Sequence, residues 1–137
     1  MQFHTGRLID HVHLRARNFA NTRYFYETVL AVLGIPVTAK GAGWIQMDEL
    51  FIDAADARTV PSHIHLAFQA KDQATVDAFY QAALSAGGTD NGAPGPRDYH
   101  PGYYACFVLD PDGNNIEAVF HGPNKRSAAS VVIDPTA

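Results

Sequence analysis

The sequence predicts a single domain of the α+β class, in which a unit of one strand, one helix and several strands occurs twice. Two observations lead to this prediction. Residues 9–16 read IDHVHLRA and residues 61–68 read PSHIHLAF, so two strand-like segments share a His-x-His pattern. Each segment precedes a helix-like one with an adjacent Phe-Tyr pair, at 25–26 and at 79–80. The repeat predicts two modules related by a pseudo-twofold axis.

The two copies also end alike, because residues 51–55 and 115–119 both place an acidic residue between apolar ones. The repeat thereby makes four chemically useful side chains equivalent in pairs: His11 and His63, Asp53 and Glu117. Imidazole and carboxylate groups are normal ligands for Zn, Ni, Mn and Fe(II). If the modules face each other across the pseudo-twofold axis, these four groups converge on one divalent metal ion. Asp53 has the shorter side chain, and it either binds directly, binds through water or lies on the surface.

Apolar spacing predicts two helices. The first covers 19–33, and Gly34 suits the left-handed residue that ends a helix. The second covers 72–86, with Asp72 as its N-cap and two glycines after its last turn.

Alternating polarity predicts the strands. The first strands of the modules lie at 8–16 and 63–70, each with one apolar face. Further strands are predicted at 43–47, 50–55, 103–109 and 115–121, with a less regular one near 36–40. The Gly- and Pro-rich stretch 87–102 hides any counterpart of that last strand.

The predicted organisation is one domain over 1–137. Module 1 covers about 7–57 and module 2 about 61–122, and the tail 123–137 has no counterpart in the first module. Residues 130–133 either pair as an edge strand or stay loose.

Composition excludes several classes of protein. No stretch has the roughly 20 apolar residues of a membrane helix, and residues 1–7 are short and polar for a secretion signal. The net charge is −4 and the basic residues are scattered, so we expect no nucleic-acid surface. The lone Cys106 fits a small buried side chain in a reducing cytoplasm.

Each predicted ligand lies on the less apolar face of its strand. That face lines either solvent or a concave site, and a histidine taken singly usually faces water. The match of histidine with histidine and carboxylate with carboxylate favours a site. His13 and His65 point the same way two residues further on, and they either orient the metal ligands, bind substrate or are structural residues.

A second cluster of polar and aromatic side chains precedes the strand at 103–109. Arg97, Tyr99, His100 and Tyr103 predict a loop that binds an anionic or oxygen-rich small molecule. The alternative is an ordinary loop whose aromatic rings pack at a dimer contact. Trp44 either lines the site or fills the core, and core is the default for tryptophan.

These residues resemble the vicinal oxygen chelate superfamily, which includes glyoxalase I, fosfomycin-resistance enzymes, extradiol dioxygenases and bleomycin-binding proteins. The resemblance runs from about residue 8 to residue 121. It rests on IDHV at 9–12, the Phe-Tyr pair at 25–26, SHI at 62–64 and, most specifically, DPDGNNIE at 110–117.

The resemblance implies paired β-α-β-β-β modules whose mixed sheet curls around a metal-binding cup. Family ligand positions fall on His11, His63 and Glu117, and Asp53 stands where glyoxalase I has glutamate. Glu117 is then both a ligand and the candidate base that moves a proton between neighbouring carbons. The chain resembles small bacterial glyoxalase-like members. We expect a homodimer, because members of the family commonly build the cup across a subunit interface or by module exchange.

The resemblance leaves several activities open. The leading hypothesis is a metal-dependent lyase or isomerase that chelates two adjacent oxygens of a small substrate. The Asp at position 53 and the absence of a matching glutathione-binding set argue against a strict glyoxalase I activity. The alternatives are a metal-free protein that sequesters a ligand, as bleomycin-resistance proteins do, and a metal-dependent transferase or dioxygenase.

Overall fold

The structure is a computed structural model, and it describes residue 6, residues 8–127, and residues 131 and 134. In chain order its elements are β1 (Val12–Ala16), α1 (Phe19–Val32), β2 (Ala39–Gly41), β3 (Trp44–Met47), β4 (Leu50–Ala54), β5 (His65–Gln69), α2 (Gln73–Ser85), β6 (Thr89–Pro96), β7 (Tyr104–Leu109) and β8 (Asn115–Phe120). One strand, one helix and three strands thus follow each other twice, which confirms the predicted α+β class and its repeated unit.

Each module forms its own four-stranded mixed sheet. The strand orders are β1-β4-β3-β2 and β5-β8-β7-β6, and in both sheets the first strand pairs in parallel with the last. The registers match as well, because Arg15 pairs with Asp53 and Ala67 pairs with Glu117. The repeat in the sequence therefore corresponds to a repeat in three dimensions. The two sheets do not close around a common cup.

Both helices begin and end within one residue of the predicted bounds. The Asn18 side chain caps α1 by accepting from the backbone N–H of Asn21, and Gly34 follows the helix with φ of 77°. Asp72 caps α2 by accepting from the backbone N–H of Thr75 at 2.7 Å. Neither helix of the described residues has the length and apolar character that crossing a membrane requires.

The core lies between the helices and one face of each sheet. Phe25 on α1 and Phe79 on α2 are fully buried there, and Cys106 on β7 is buried as predicted. Burial raises the pKa of the Cys106 thiol to about 11, so this side chain is a thiol rather than a reactive thiolate. No helix among the described residues covers the opposite face of either sheet.

The structure corrects four details of the prediction. The first strands are shorter than predicted, so His11 and His63 lie just before β1 and β5. β2 covers 39–41, slightly beyond the predicted 36–40. Trp44 is not a core residue: it is 36% exposed on the sheet face that the helices do not cover.

The fourth correction is β6, which the sequence hid. It lies at the edge of the second sheet, where a strand tolerates prolines and bulges, and its pairing with β7 shifts twice. Apart from Val131, the predicted edge strand at 130–133 lies outside the described residues.

Candidate functional site

Glu117 is the centre of the candidate site, on the face of the second sheet that α2 does not cover. Its strand neighbour Phe107 is on the same face, whereas Cys106 and Tyr104 point to α2, where they contact Val76 and Asp77. Glu117 is 2% exposed. A buried carboxylate is stable only when it is hydrogen-bonded or paired.

Both carboxylate oxygens of Glu117 have partners. Oε2 lies 2.9 Å from Nε2 of His65, and Oε1 accepts a hydrogen bond from the Tyr103 hydroxyl. Burial and the adjacent Glu117 raise the pKa of Tyr103, so its hydroxyl keeps its proton and donates a hydrogen bond at neutral pH. We call Glu117, His65 and Tyr103 the Glu117 cluster.

A pair of imidazoles borders the Glu117 cluster. His100 and His121 stack with centroids 5.1 Å apart, and Nε2 of His100 lies 2.8 Å from Nδ1 of His121. The carbonyl of Pro101 lies 2.9 Å from Nδ1 of His100 and can only accept. In the neutral pair, Nε2 of His100 therefore accepts from Nδ1–H of His121. Burial and the neighbouring His100 lower the pKa of His121, which favours that neutral state.

His121 is a site residue that the sequence reasoning missed. The available signal was the alternation of β8, because residues 117, 119 and 121 point the same way. Its contacts depend on the loop that carries His100 and Tyr103, because this loop lies against His121.

The first module repeats the histidine–carboxylate contact. Nε2 of His13 lies 2.8 Å from Oδ1 of Asp53, just as His65 contacts Glu117. The ring of Phe51 packs edge-on against His13 and stacks on Trp44 at 5.7 Å. Each carboxylate thus contacts the second histidine of its His-x-His pattern, not the first.

The four predicted metal ligands are not brought together within one chain. His11 is exposed, with Nδ1 2.6 Å from Asp10, and His63 is exposed as well. Among the residues that the structure describes, no three His, Cys, Asp or Glu side chains form a group able to hold a metal ion. Within one chain, Asp53 and Glu117 therefore lie in two separate histidine–carboxylate pairs.

The predicted substrate loop, with Tyr99, His100 and Tyr103, forms most of the lining of a pocket of about 520 Å³, and Gln73 at the start of α2 completes it. Tyr99 is 71% exposed and contacts the ring of Tyr103. The guanidinium group of Arg97 donates to the carbonyls of Ala93, Gly95 and Pro96 and lies over Phe107. Arg97 thus holds β6 in place, and these bonds engage both of its terminal nitrogens.

Comparison with known proteins identifies the family. The profile of the Glyoxalase/Bleomycin resistance protein/Dioxygenase superfamily matches residues 8–118. The chain belongs to this superfamily. Comparison with curated proteins gives no match.

Solved structures agree with this assignment. A glyoxalase/bleomycin resistance protein from Albidiferax ferrireducens is 28% identical with a TM-score of 0.69, over 82% of this chain and 98% of that one. A lactoylglutathione lyase from Agrobacterium tumefaciens is 20% identical with a TM-score of 0.59, over 84% and 94%. A family enzyme from Burkholderia phytofirmans is 20% identical with a TM-score of 0.61, over 80% and 95%. The latter two show the shared fold.

Proposed function

We propose that the protein is a metal-dependent glyoxalase-like enzyme, a lyase or isomerase whose substrate is a small molecule with two adjacent oxygens. The observation that carries the proposal is the Glu117 cluster. It places an imidazole nitrogen and a carboxylate oxygen 2.9 Å apart on an uncovered sheet face, and Tyr103 of the same cluster also lines a pocket. We place the enzyme in the cytoplasm, which suits its single buried thiol.

The donors of this cluster suit a divalent ion. With bonds of roughly 2.0–2.2 Å, neighbouring ligands of one ion are about 3 Å apart, which is close to the separation of His65 Nε2 and Glu117 Oε2. His65 and Glu117 are therefore the second module's ligands that the geometry supports. His63, which the repeat favoured, is the competing candidate.

A second copy of the chain would complete the site. One chain supplies the Glu117 cluster, whereas the first-module candidates His11, Asp53 and His13 lie apart from it. We propose a homodimer in which the first module of one chain faces the second module of its partner.

The chemistry follows from the donors. A bound Zn, Ni, Mn or Fe(II) ion would supply a Lewis acid for negative charge on two adjacent substrate oxygens. Glu117 would take a proton from one substrate carbon and return it to the neighbouring carbon. Tyr99, His100 and Tyr103 would contact the substrate from the pocket side.

A specific observation favours a second candidate function. Both oxygens of Glu117 already accept hydrogen bonds from protein side chains. Because the Glu117 carboxylate is fully hydrogen-bonded without a metal ion, the cluster also suits a metal-free protein that sequesters a small ligand in the adjoining pocket.

Metal content separates these functions. We expect protein purified without chelator to carry about one divalent ion per subunit by inductively coupled plasma mass spectrometry. Ni, Zn or Mn would favour lyase, isomerase or transferase chemistry, and Fe(II) with oxygen consumption a dioxygenase. Protein that takes up none of these ions would overturn the enzyme proposal and favour the sequestering protein.

Two single variants test the ligand assignment, with each histidine as the control for the other. We expect His65→Ala to lose tight metal binding and His63→Ala to keep it, with unchanged circular dichroism in both. The reverse result would assign the ligand to His63, as the repeat predicted.

A further inference from the structure

Tyr103 is held in place on three sides. Its ring contacts Tyr99, His100 and His121 edge-on, with centroid distances of 4.9, 5.4 and 5.1 Å. A tyrosine fixed by its ring can aim its hydroxyl at one atom without losing much further conformational entropy. Here that atom is Oε1 of Glu117.

The two oxygens of Glu117 consequently have unequal surroundings. Oε1 is bonded to a tyrosine whose ring is packed. Oε2 is bonded to His65, whose side chain is 51% exposed, whereas that of Glu117 is 3% exposed. The His65 ring is half-exposed and contacts Phe107 at 5.9 Å, so Oε2 is the oxygen whose hydrogen-bond partner is less firmly held.

We propose that Tyr103 is a positioning residue: it reserves Oε1 of Glu117, fixes the carboxylate plane, and so makes Oε2 the only oxygen that Glu117 presents to a metal ion. The inference rests on the proposed function: Tyr103 would determine how Glu117 binds the ion at that site. A hydrogen-bonded carboxylate that is already oriented binds an ion without first losing rotational freedom. Partners that orient ligands in this way typically change metal affinity by about 10–100-fold.

The neighbouring residue provides a matched control. The Tyr104 hydroxyl also donates to a carboxylate, Oδ1 of Asp77 at 2.7 Å, but on the opposite face of the sheet. Tyr103→Phe and Tyr104→Phe each remove one hydroxyl and one tyrosine–carboxylate hydrogen bond. Only the first removes a bond to Glu117. Phenylalanine retains the ring contacts, so both variants are expected to fold.

The experiment is a chelator competition with Zn²⁺ on the full chain. We expect Tyr103→Phe to bind Zn²⁺ about 10–100-fold more weakly than wild type, and Tyr104→Phe to bind it as wild type does. The visible absorption spectrum of the Co²⁺-substituted protein should change only in Tyr103→Phe, because only there can both oxygens of Glu117 reach the ion.

Two outcomes overturn the inference in distinguishable ways. Wild-type protein that binds no metal ion overturns the proposed function and the inference together. Wild-type protein that binds the ion, while Tyr103→Phe retains both its affinity and its Co²⁺ spectrum, overturns the inference alone.

Discussion

Asp110, in the turn between β7 and β8, accepts hydrogen bonds from both modules. The hydroxyl of Tyr26 on α1 donates to Oδ2 at 2.6 Å, and within the turn Asp112 and Asn114 donate through their backbone N–H groups to Oδ1. Oδ1 of Asn114 in turn accepts from the backbone N–H of Ile64. The most specific motif of the sequence therefore connects the two modules as well as leading into Glu117.

Tyr26→Phe tests this connection. Tyr26 is fully buried, and its loss would leave the buried Asp110 with one donor fewer. Hydrogen bonds to charged groups contribute about 1.5–3 kcal/mol, so we expect the free energy of unfolding to fall by about that amount in urea denaturation. Tyr80→Phe is the control, because its hydroxyl bonds to the exposed Asp90 and its removal should change stability little. Equal losses in the two variants would contradict the structural role of Tyr26.

The same variant has a signature in its pH dependence. Burial and Asp110 raise the pKa of Tyr26 well above its usual value, so the folded chain retains the proton that the unfolded chain loses near pH 10. The stability that Tyr26 contributes is thus fully present below about pH 10 and decreases above it. We expect the difference between wild type and Tyr26→Phe to narrow at alkaline pH, and a constant difference would argue against this burial.

At the scale of elements, the two helices pack against each other through Gly88, which follows α2. A Cβ atom there would lie 2.7 Å from the carbonyl oxygen of Ala83 and 2.9 Å from the ring of Phe25 on α1. Both distances are shorter than real Cβ contacts, and the carbonyl belongs to the helix backbone. The close approach of the modules therefore requires glycine at this position.

We predict that Gly88→Ala is destabilising. Forcing a methyl group into this contact should lower the free energy of unfolding by about 1–3 kcal/mol, as overpacking does elsewhere. Gly43→Ala is the matched control. Nothing lies within 4 Å of its Cβ position, and it should be neutral or stabilise by up to about 1 kcal/mol. A neutral Gly88→Ala would mean that the helices separate at little cost.

At the scale of the whole molecule, each module has a histidine–carboxylate pair, and the described residues of one chain do not bring the two pairs together. Each sheet carries one histidine–carboxylate contact, and the two sheets have separate strand orders. An arrangement of two chains related by a twofold axis would bring a first module to a second module twice.

Subunit complementation tests that arrangement. One chain carries His11→Ala with Asp53→Ala, and the other carries His65→Ala with Glu117→Gln. Co-expressed with different tags and purified as a heterodimer, they should bind about half the wild-type amount of metal, because one of the two shared sites is intact.

The homodimers of each double variant are the controls and should bind none. A heterodimer without metal, or a wild-type chain that stays monomeric at micromolar concentration in analytical ultracentrifugation, would count against the shared site. If the homodimer with His11→Ala and Asp53→Ala retained metal, neither His11 nor Asp53 would be a metal ligand.

The sequence by itself determined the repeat, the two helices with Asp72 and Gly34 at their ends, the face of each strand and the family. These follow from local patterns: alternation in strands, spacing in helices, and glycine or aspartate at turns and caps. The Asp53–Glu117 equivalence also holds, because a strand register repeats when the pattern that sets it repeats.

Only the tertiary structure decided which histidine of each His-x-His pattern contacts its carboxylate. Residues two apart on a strand point the same way, so alternation could not separate His63 from His65. The strand begins at His65 and its parallel pairing with β8 brings that side chain to Glu117. The Tyr103 contact and the His100–His121 pair likewise arise from a loop that returns to the sheet, a long-range contact that no local pattern encodes.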